Sequence, residues 1–378
     1  MDVRRARSIR ARHVRGVLRV SAVVALASAC GGSPTISEDV ETAASEPASA
    51  QPWDDLEGEE REAALVEAAA SEDKLSVYSG FNDEQAMAEA FTEKYGIAVE
   101  VYNANSETIL ARIVQEQSAG RALNDVLIAP SPDIQAAQDE GLLGMYSSEY
   151  RDAVSDKGKG EQWTGLRRLA FVAGWNTDMI DDAEVPDEYS GFADPAWNDR
   201  ISLELGDIDW YVTLRDYYLE QGMSEDDVAE MFRQIAENST VAKGHTVQGE
   251  LLAAGQFPVA LSLYTQTVER LQEKGAPATY GADEGEVVEP VVVRYDAGGV
   301  MASTDNPAGA ALYLDFQLSE DGFTVDRELG ALPPIEQEGE PLADAEVIEL
   351  DTAAFVERRS EVAAEYEELL RLGTQAPG

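Results

Sequence analysis

Cysteine and histidine are almost absent from this chain of 378 residues, which has one cysteine, Cys30, and two histidines, His13 and His245. A single cysteine forms no disulfide bond within the chain, so a disulfide-stabilised scaffold is excluded. Catalysis by a Cys/His pair and zinc sites built from several such residues are excluded for the same reason.

Basic residues are also scarce, since 28 Lys and Arg accompany 73 Asp and Glu and give a formal net charge of −45. Such a surplus of negative charge repels phosphate backbones, which excludes nucleic-acid binding. Abundant surface carboxylates are typical of proteins from salty habitats, so the surplus describes the environment rather than the ligand. The 44% of hydrophobic residues suffice for a core, and the length suits two domains.

Four common enzyme motifs are missing: Gly-x-Ser-x-Gly, Gly-x-x-x-x-Gly-Lys, Gly-x-Gly-x-x-Gly and His-Glu-x-x-His. Adjacent acids are too frequent among 73 carboxylates to indicate a catalytic pair, although a glycosidase-type pair stays open. We therefore predict that the protein is not an enzyme.

The N-terminus has the order of a secretory signal peptide. Seven arginines precede residue 20, residues 20–29 are apolar or small, and Cys30 follows Ala-Ser-Ala. The apolar run is too short for an ordinary membrane-spanning helix. The cysteine fits the signal of bacterial lipoproteins, so we expect a signal peptide over residues 1–29 and acylation of Cys30. A plain secretory signal and a retained membrane helix are the alternatives.

The rest of the chain divides by composition. Residues 30–52 are acidic and rich in Ser, Pro and Ala without apolar periodicity, which predicts a disordered tether. Folded structure is expected from Trp53 onward. The predicted parts are a first lobe over residues 53–168 and 289–338, a second lobe over residues 169–288, and C-terminal helices over residues 339–378.

Strands and helices alternate from residue 75 at the spacing of βα units, which predicts a parallel sheet with right-handed crossovers. The predicted strands are residues 75–79, 97–102, 125–129, 169–175, 201–205, 257–263 and 289–295. Predicted helices include residues 207–218, 307–318 and one or two helices within 350–372. Two α/β lobes joined by crossing strands are the simplest arrangement. Ligands bind outside the carboxyl ends of such strands.

Eight short stretches between residues 72 and 335 carry a family resemblance. They begin at Leu75 (Leu-Ser-Val-Tyr-Ser-Gly), Phe91 (Phe-Thr-Glu-Lys-Tyr-Gly-Ile), Asn124, Gln138, Trp175 (Trp-Asn-Thr-Asp), Phe192, Gly249 and Ala310. Their order and spacing resemble ABC-importer solute-binding proteins of the ferric-binding type. The resemblance implies an α/β, two-lobe, type II periplasmic-binding fold that closes on a ligand in the cleft between its lobes.

The resemblance also implies where a metal would bind. Ferric-binding members hold Fe³⁺ with a His after the first strand, a Glu after the third strand and two adjacent tyrosines in the second lobe. The corresponding positions here are Asn82 or its neighbours, Pro130, and Tyr264 with Thr265. Because hard anionic oxygens suit this trivalent ion, Tyr264 is the predicted metal ligand.

Further residues at strand and helix ends complete the predicted binding set. The set is Tyr78, Ser79, Asn82, Asp209, Trp210, His245, Thr246 and Tyr264. The leading ligand is ferric iron, with carboxylates borrowed from Asp207 or Asp209 and an anion held by free amides at residues 244–246. One alternative is an organic cation such as a polyamine or thiamine, which Asp209, Trp210, Tyr211 and Tyr264 could hold by charge and cation–π contacts. The other is an anionic metabolite such as a phosphonate, held at the helix start.

The predicted function is that of a lipid-anchored, monomeric receptor outside the cytoplasm, which delivers a small ligand to the permease subunits of an ABC importer. It needs no cofactor, and ferric iron would be its transported ligand. A cell-surface hydrolase and a sensor lipoprotein on the same fold are the competing hypotheses from different functional classes.

A Cys30→Ser substitution tests the predicted anchor. Acylation supplies the membrane affinity, so we expect wild-type protein in the membrane fraction and the variant in the soluble fraction or as unprocessed precursor. Cell fractionation with immunoblotting measures both. A Ser28→Ala variant, which keeps the cysteine, is the control, and equal membrane partitioning of wild type and Cys30→Ser contradicts the lipoprotein signal.

Overall fold

The computed structural model describes residues 51–121, 123–281, 286–337 and 339–376. The expected signal peptide, the expected lipidation site Cys30 and nearly all of the expected tether lie outside the described residues. Within the described ranges, the helices are too short or too polar to cross a membrane.

The first part of the chain alternates between helices and strands. In order they are α1 (Gly58–Ala69), β1 (Leu75–Ser79), α2 (Glu84–Tyr95), β2 (Val99–Asn103), α3 (Ser106–Ser118), β3 (Val126–Pro130), α4 (Ser131–Asp139), α5 (Glu149–Asp152) and β4 (Thr164–Asn176). Local signals set these bounds. The Asn105 side chain accepts a hydrogen bond from the Thr108 N–H at the start of α3, and Gly96 ends α2 with a φ of 72°.

The second part continues the alternation. In order it contains β5 (Ile201–Glu204), α6 (Ile208–Glu220), α7 (Glu225–Glu237), β6 (Ser239–Ala242), α8 (His245–Ala253), β7 (Val259–Tyr264), α9 (Thr265–Glu273), β8 (Ala278–Thr279), β9 (Val291–Val300), α10 (Pro307–Gln317), α11 (Glu320–Glu328), β10 (Val347–Glu349), α12 (Thr352–Leu370) and β11 (Thr374–Gln375). Every predicted strand and helix is present. The C-terminal part has one long helix, α12, and two short strands, β10 and β11, that the sequence did not indicate.

The strands form one continuous sheet in the order β11-β6-β5-β7-β4-β9-β3-β1-β2, with β10 beside β9 and β8 beside β4. Strands β1, β2 and β3 pair in parallel, as do β5, β6 and β7. Strands β4 and β9 pair antiparallel with each other, and they pair antiparallel with β7 and β3 respectively. These two long strands therefore cross from one parallel half of the sheet to the other.

The buried hydrophobic side chains divide at the same two strands. Leu166 on β4 and Tyr295 on β9 belong to a core with β1, β3 and α10. Phe171 on β4 and Val292 on β9 belong to a core with β5, α6, α7 and α12. Two smaller clusters lie around Leu263 and around Ile134. The two larger cores define a first and a second lobe that share the crossing strands.

A buried ion network joins four elements of the first lobe. The guanidinium of Arg167 on β4 donates to Asp326 Oδ1 at 2.5 Å, to Glu84 Oε2 at 3.2 Å and to Gln317 Oε1 at 3.0 Å. Tyr313 also donates to Glu84, at 2.5 Å. Burial raises the pKa of Glu84, although the Arg167 cation lowers it. Two buried carboxylates thus depend on one cation.

An Arg167→Met substitution tests this dependence. The variant keeps apolar bulk but leaves two carboxylates buried without their cation, so we expect the free energy of unfolding to fall by about 3–5 kcal/mol. Urea unfolding followed by circular dichroism measures the change. Arg327→Met, which removes an exposed pair with Glu320, is the control and should lose less than about 1 kcal/mol. Equal losses in both variants contradict the dependence.

Candidate ligand-binding cleft

A cleft of about 320 Å³ opens between the two lobes. Its walls are the turn before α2, the end of β3, the start of α8, the end of β7 and the crossing strand β9. An adjoining cavity of about 220 Å³ extends toward α6. Four residues line both spaces, namely Pro130, His245, Tyr264 and Arg294.

A larger cavity, of about 770 Å³, lies against α6, β10 and α12. It contains none of the predicted binding residues. Its Glu349 carboxylate accepts hydrogen bonds from Ser155 at 2.8 Å and from Tyr295 at 2.6 Å. Because these polar groups satisfy one another, the cleft between the lobes is the better candidate for the functional site.

The strand ends explain why polar side chains converge in the cleft. Strands β5, β6 and β7 are parallel and each leads into a helix, so the starts of α6, α8 and α9 lie at one edge of the sheet. Gly244, between β6 and α8, has a φ of 90°, which glycine adopts without strain. This turn makes His245 the first residue of α8.

Tyr264 and His245 stack at the centre of the site. Their ring centroids are 3.8 Å apart and their planes differ by 20°. Phe171 packs against the Tyr264 ring with centroids 5.0 Å apart. Burial raises the pKa of the Tyr264 hydroxyl, although the Arg294 cation lowers it. Tyr264 is therefore a neutral phenol at neutral pH unless a metal ion displaces its proton.

Glu204, Asp207 and His245 bring three ligand atoms within 4.8 Å of one another. Glu204 accepts hydrogen bonds from the Gly244 N–H at 2.6 Å and from the Gly206 N–H. Asp207 Oδ1 lies 2.9 Å from His245 Nε2. Burial raises the pKa of both carboxyl groups. Burial lowers the pKa of His245, but the nearby carboxylates, Asp207 above all, raise it by more, so the net shift is upward.

Arg294 supplies a buried cation to the cleft. Its Nε lies 2.9 Å from Asp209 Oδ2, its Nη1 lies 3.1 Å from Asp296 Oδ1, and its Nη2 donates to the Tyr264 hydroxyl at 3.4 Å. A guanidinium has five N–H donors in a planar fork. Arg294 can therefore hold both carboxylates and still donate to an anionic ligand group.

The structure brings four of the eight predicted binding residues to the cleft wall, namely Asn82, His245, Thr246 and Tyr264. Asp209 lines the adjoining cavity and pairs with Arg294. These five residues therefore lie along the cleft or its adjoining cavity.

Three predicted residues lie elsewhere, which corrects the expectation for them. The Tyr78 hydroxyl donates to Glu116 at 2.9 Å on the side of β1 that α3 covers, because alternate side chains of a strand face opposite ways. Ser79 is buried and its Oγ accepts from the Phe81 N–H at 3.0 Å. Trp210 is buried in the second core, because each helical residue turns about 100° from the one before and Asp209 faces the cavity instead.

Arg294, Asp296 and Glu204 were not predicted as binding residues. All three lie within or at the end of strands that read as apolar runs. The sequence did contain a signal for two of them. Arg294 and Asp296 interrupt the apolar residues of β9, and because they are two residues apart on a strand their side chains must point to the same side of the sheet.

Comparisons with known proteins give the same architecture. The family model for bacterial extracellular solute-binding proteins matches residues 86–344. A Fe(3+)-binding periplasmic protein of Serratia marcescens is 20% identical over 281 residues, which are 69% of this chain and 78% of that protein.

Two solved structures show the likeness of fold. Iron-bound HitA from Pseudomonas aeruginosa superposes with a TM-score of 0.65 at 19% identity, over 79% of this chain and 99% of HitA. AfuA from Actinobacillus pleuropneumoniae, with exogenous fructose-6-phosphate bound, gives 0.63 at 18% identity, over 80% of this chain and 100% of AfuA. The predicted two-lobe, type II periplasmic-binding fold is confirmed. This chain belongs to the family of bacterial extracellular solute-binding proteins, whose members deliver ligands to the permeases of ABC importers.

Proposed function

We propose that this receptor captures ferric iron in the cleft between its lobes, closes on it, and delivers it to an ABC permease from a lipid anchor on the outer side of the membrane. It acts as a monomer and catalyses no reaction. The observation that carries the proposal is the convergence of Tyr264, His245 and the carboxylates of Glu204, Asp207 and Asp209 at one cleft.

Oxygen donors favour a hard cation in this cleft. Carboxylate and phenolate oxygens suit a small trivalent ion, and a bound ion would offset the energetic cost of burying the carboxylates. The relative in Serratia marcescens is described as Fe(3+)-binding and HitA from Pseudomonas aeruginosa was solved with iron bound, which agrees with this choice.

An anionic metabolite is the second candidate, and Arg294 favours it. The guanidinium lines both cleft spaces, and the first residues of α8, His245 and Thr246, bring their backbone N–H groups nearby, whereas the Gly244 N–H already donates to Glu204. AfuA, which shares the fold, was solved with a sugar phosphate. Iron is the better-supported ligand because carboxylates outnumber guanidinium groups along the cleft and its adjoining cavity. The carboxylates are Asp83, Asp133, Glu204, Asp207, Asp209 and Asp296, and the guanidinium groups are those of Arg270, Arg294 and Arg359.

An organic cation has less support than iron or an anionic metabolite. Of the aromatic side chains expected to hold such a ligand, Trp210 and Tyr211 are buried in the second core, so Tyr264 alone would offer a cation–π contact in the cleft. A hydrolase or a sensor on this fold has no specific observation in its favour.

Titration with ferric citrate tests the proposed ligand. A phenolate bound to Fe³⁺ produces a visible charge-transfer band, so we expect a band that saturates at one iron per chain and disappears in Tyr264→Phe. Absorption spectroscopy measures it. Tyr217→Phe, on the surface of α6, is the control and should keep the band. If no band forms and fructose-6-phosphate or a polyamine raises the melting temperature instead, iron is not the ligand.

We also predict that the cleft closes when the ligand binds. One moving lobe would consist of residues 53–168 and 289–338, and the other of residues 169–288. Arg270 on α9 lies 2.8 Å from Asp83, before α2, so this ion pair spans the cleft. Small-angle scattering should show a smaller radius of gyration at saturating ferric citrate. An unchanged radius contradicts closure.

The Arg270→Ala variant refines that measurement. An exposed pair contributes up to about 1 kcal/mol, so the variant should bind up to about fivefold more weakly while compacting to the same final radius. Arg233→Ala is the control, since Arg233 pairs with Glu230 and Glu237 of its own helix.

A further inference from the structure

Asp207 and His245 carry polar atoms that their surroundings leave unmatched. Asp207 is 2% exposed, and its Oδ2 has no hydrogen-bond partner among the described residues. His245 Nε2 lies 2.9 Å from Asp207 Oδ1, but the contact lacks the alignment of a hydrogen bond. An unpaired buried carboxylate oxygen is costly, so this arrangement suits a cation bound between the two side chains.

The charges around the cluster point the same way. Arg294 is paired with Asp209 and Asp296 rather than with Glu204 or Asp207. His245 supplies at most one positive charge against the two carboxylates beside it. A bound cation of charge two or three would offset this imbalance.

We infer that Glu204, Asp207 and His245 form the protein ligands of a first-row transition-metal cation in the wall of the second lobe. Two carboxylate oxygens and one imidazole nitrogen are a donor set that such cations accept. The inference names protein ligands for the cation of the proposed function, and it rests on that function only for the statement that this cation is the imported solute. Cation binding by these three residues does not itself require Tyr264.

The geometry fits a metal centre. Donors that sit about 2.0–2.2 Å from one ion lie at most about 4.4 Å apart. The three donor atoms lie within 4.8 Å, so an inward shift of a few tenths of an ångström is enough. The backbone N–H groups of Gly206 and Gly244 hold Glu204 in place, as supporting hydrogen bonds commonly do for metal-binding carboxylates.

Cobalt(II) chloride is the probe that tests the site, because bound Co²⁺ has visible absorption bands. The purified full chain should bind one Co²⁺ saturably. Asp207→Asn and His245→Gln should each weaken binding at least tenfold. Asp216→Asn, on the same helix as Asp209 but away from the cleft and paired with Arg215 and Arg358, is the matched control and should change binding less than threefold.

A measurement on the unaltered protein covers the case in which a variant fails to fold. His13 lies in the expected signal peptide, so His245 is the one histidine of the processed chain and its imidazole signals can be identified directly by proton NMR. Substoichiometric MnCl₂ should broaden the His245 signals selectively. Absence of that broadening, or Co²⁺ binding that is unsaturable or unaffected by both substitutions, overturns the site in favour of a simple His245–Asp207 ion pair.

The outcomes separate this site from the iron receptor function. A missing ferric charge-transfer band with intact, Asp207-dependent Co²⁺ binding contradicts iron as the ligand and supports the metal site. A ferric band that needs Tyr264 but is unchanged by Asp207→Asn and His245→Gln supports iron and overturns this ligand set.

Discussion

Carboxylates are costly to bury unless cations or hydrogen-bond donors accompany them, and this chain brings those of Glu204, Asp207, Asp209 and Asp296 together around one cleft. Arg294 on the crossing strand matches Asp209 and Asp296. Glu204 receives two backbone N–H groups, and Asp207 has the imidazole of His245 beside it. The remaining negative charge makes the cleft suited to a cation, and this excess of carboxylates is the property on which the proposed ligand depends.

The fold creates this concentration of charge. Three parallel strands of the second lobe end at the same edge, and the helices that follow them begin there, so side chains from distant parts of the chain meet. The crossing strands β4 and β9 belong to both lobes, and β9 carries Arg294 to the point where they join. Strand β9 therefore both joins the two lobes and supplies a charged residue to the binding site.

Much of the fold was predictable, because helices and strands here follow plain hydrophobic periodicity and strand ends mark the cleft. Tyr264, His245, Thr246 and Asn82 follow from that rule and from the family resemblance. The burial of Trp210 could not be predicted in this way. Trp210 follows Asp209 directly on α6, and a shift of one helical position decides whether a side chain faces the cavity or the core. Arg294 and Glu204 were missed because the strands that carry them read as apolar, and only the pairing of those strands brings their charges together.

Native mass spectrometry tests the proposed capture of iron most directly. The protein would be incubated with ferric citrate, freed of excess by gel filtration and weighed intact, beside a variant that combines Asp207→Asn with Tyr264→Phe. We expect one iron per wild-type chain, alone or with a small anion, and none in the variant. A wild-type mass without metal, or equal iron in both proteins, would contradict iron capture at this cleft.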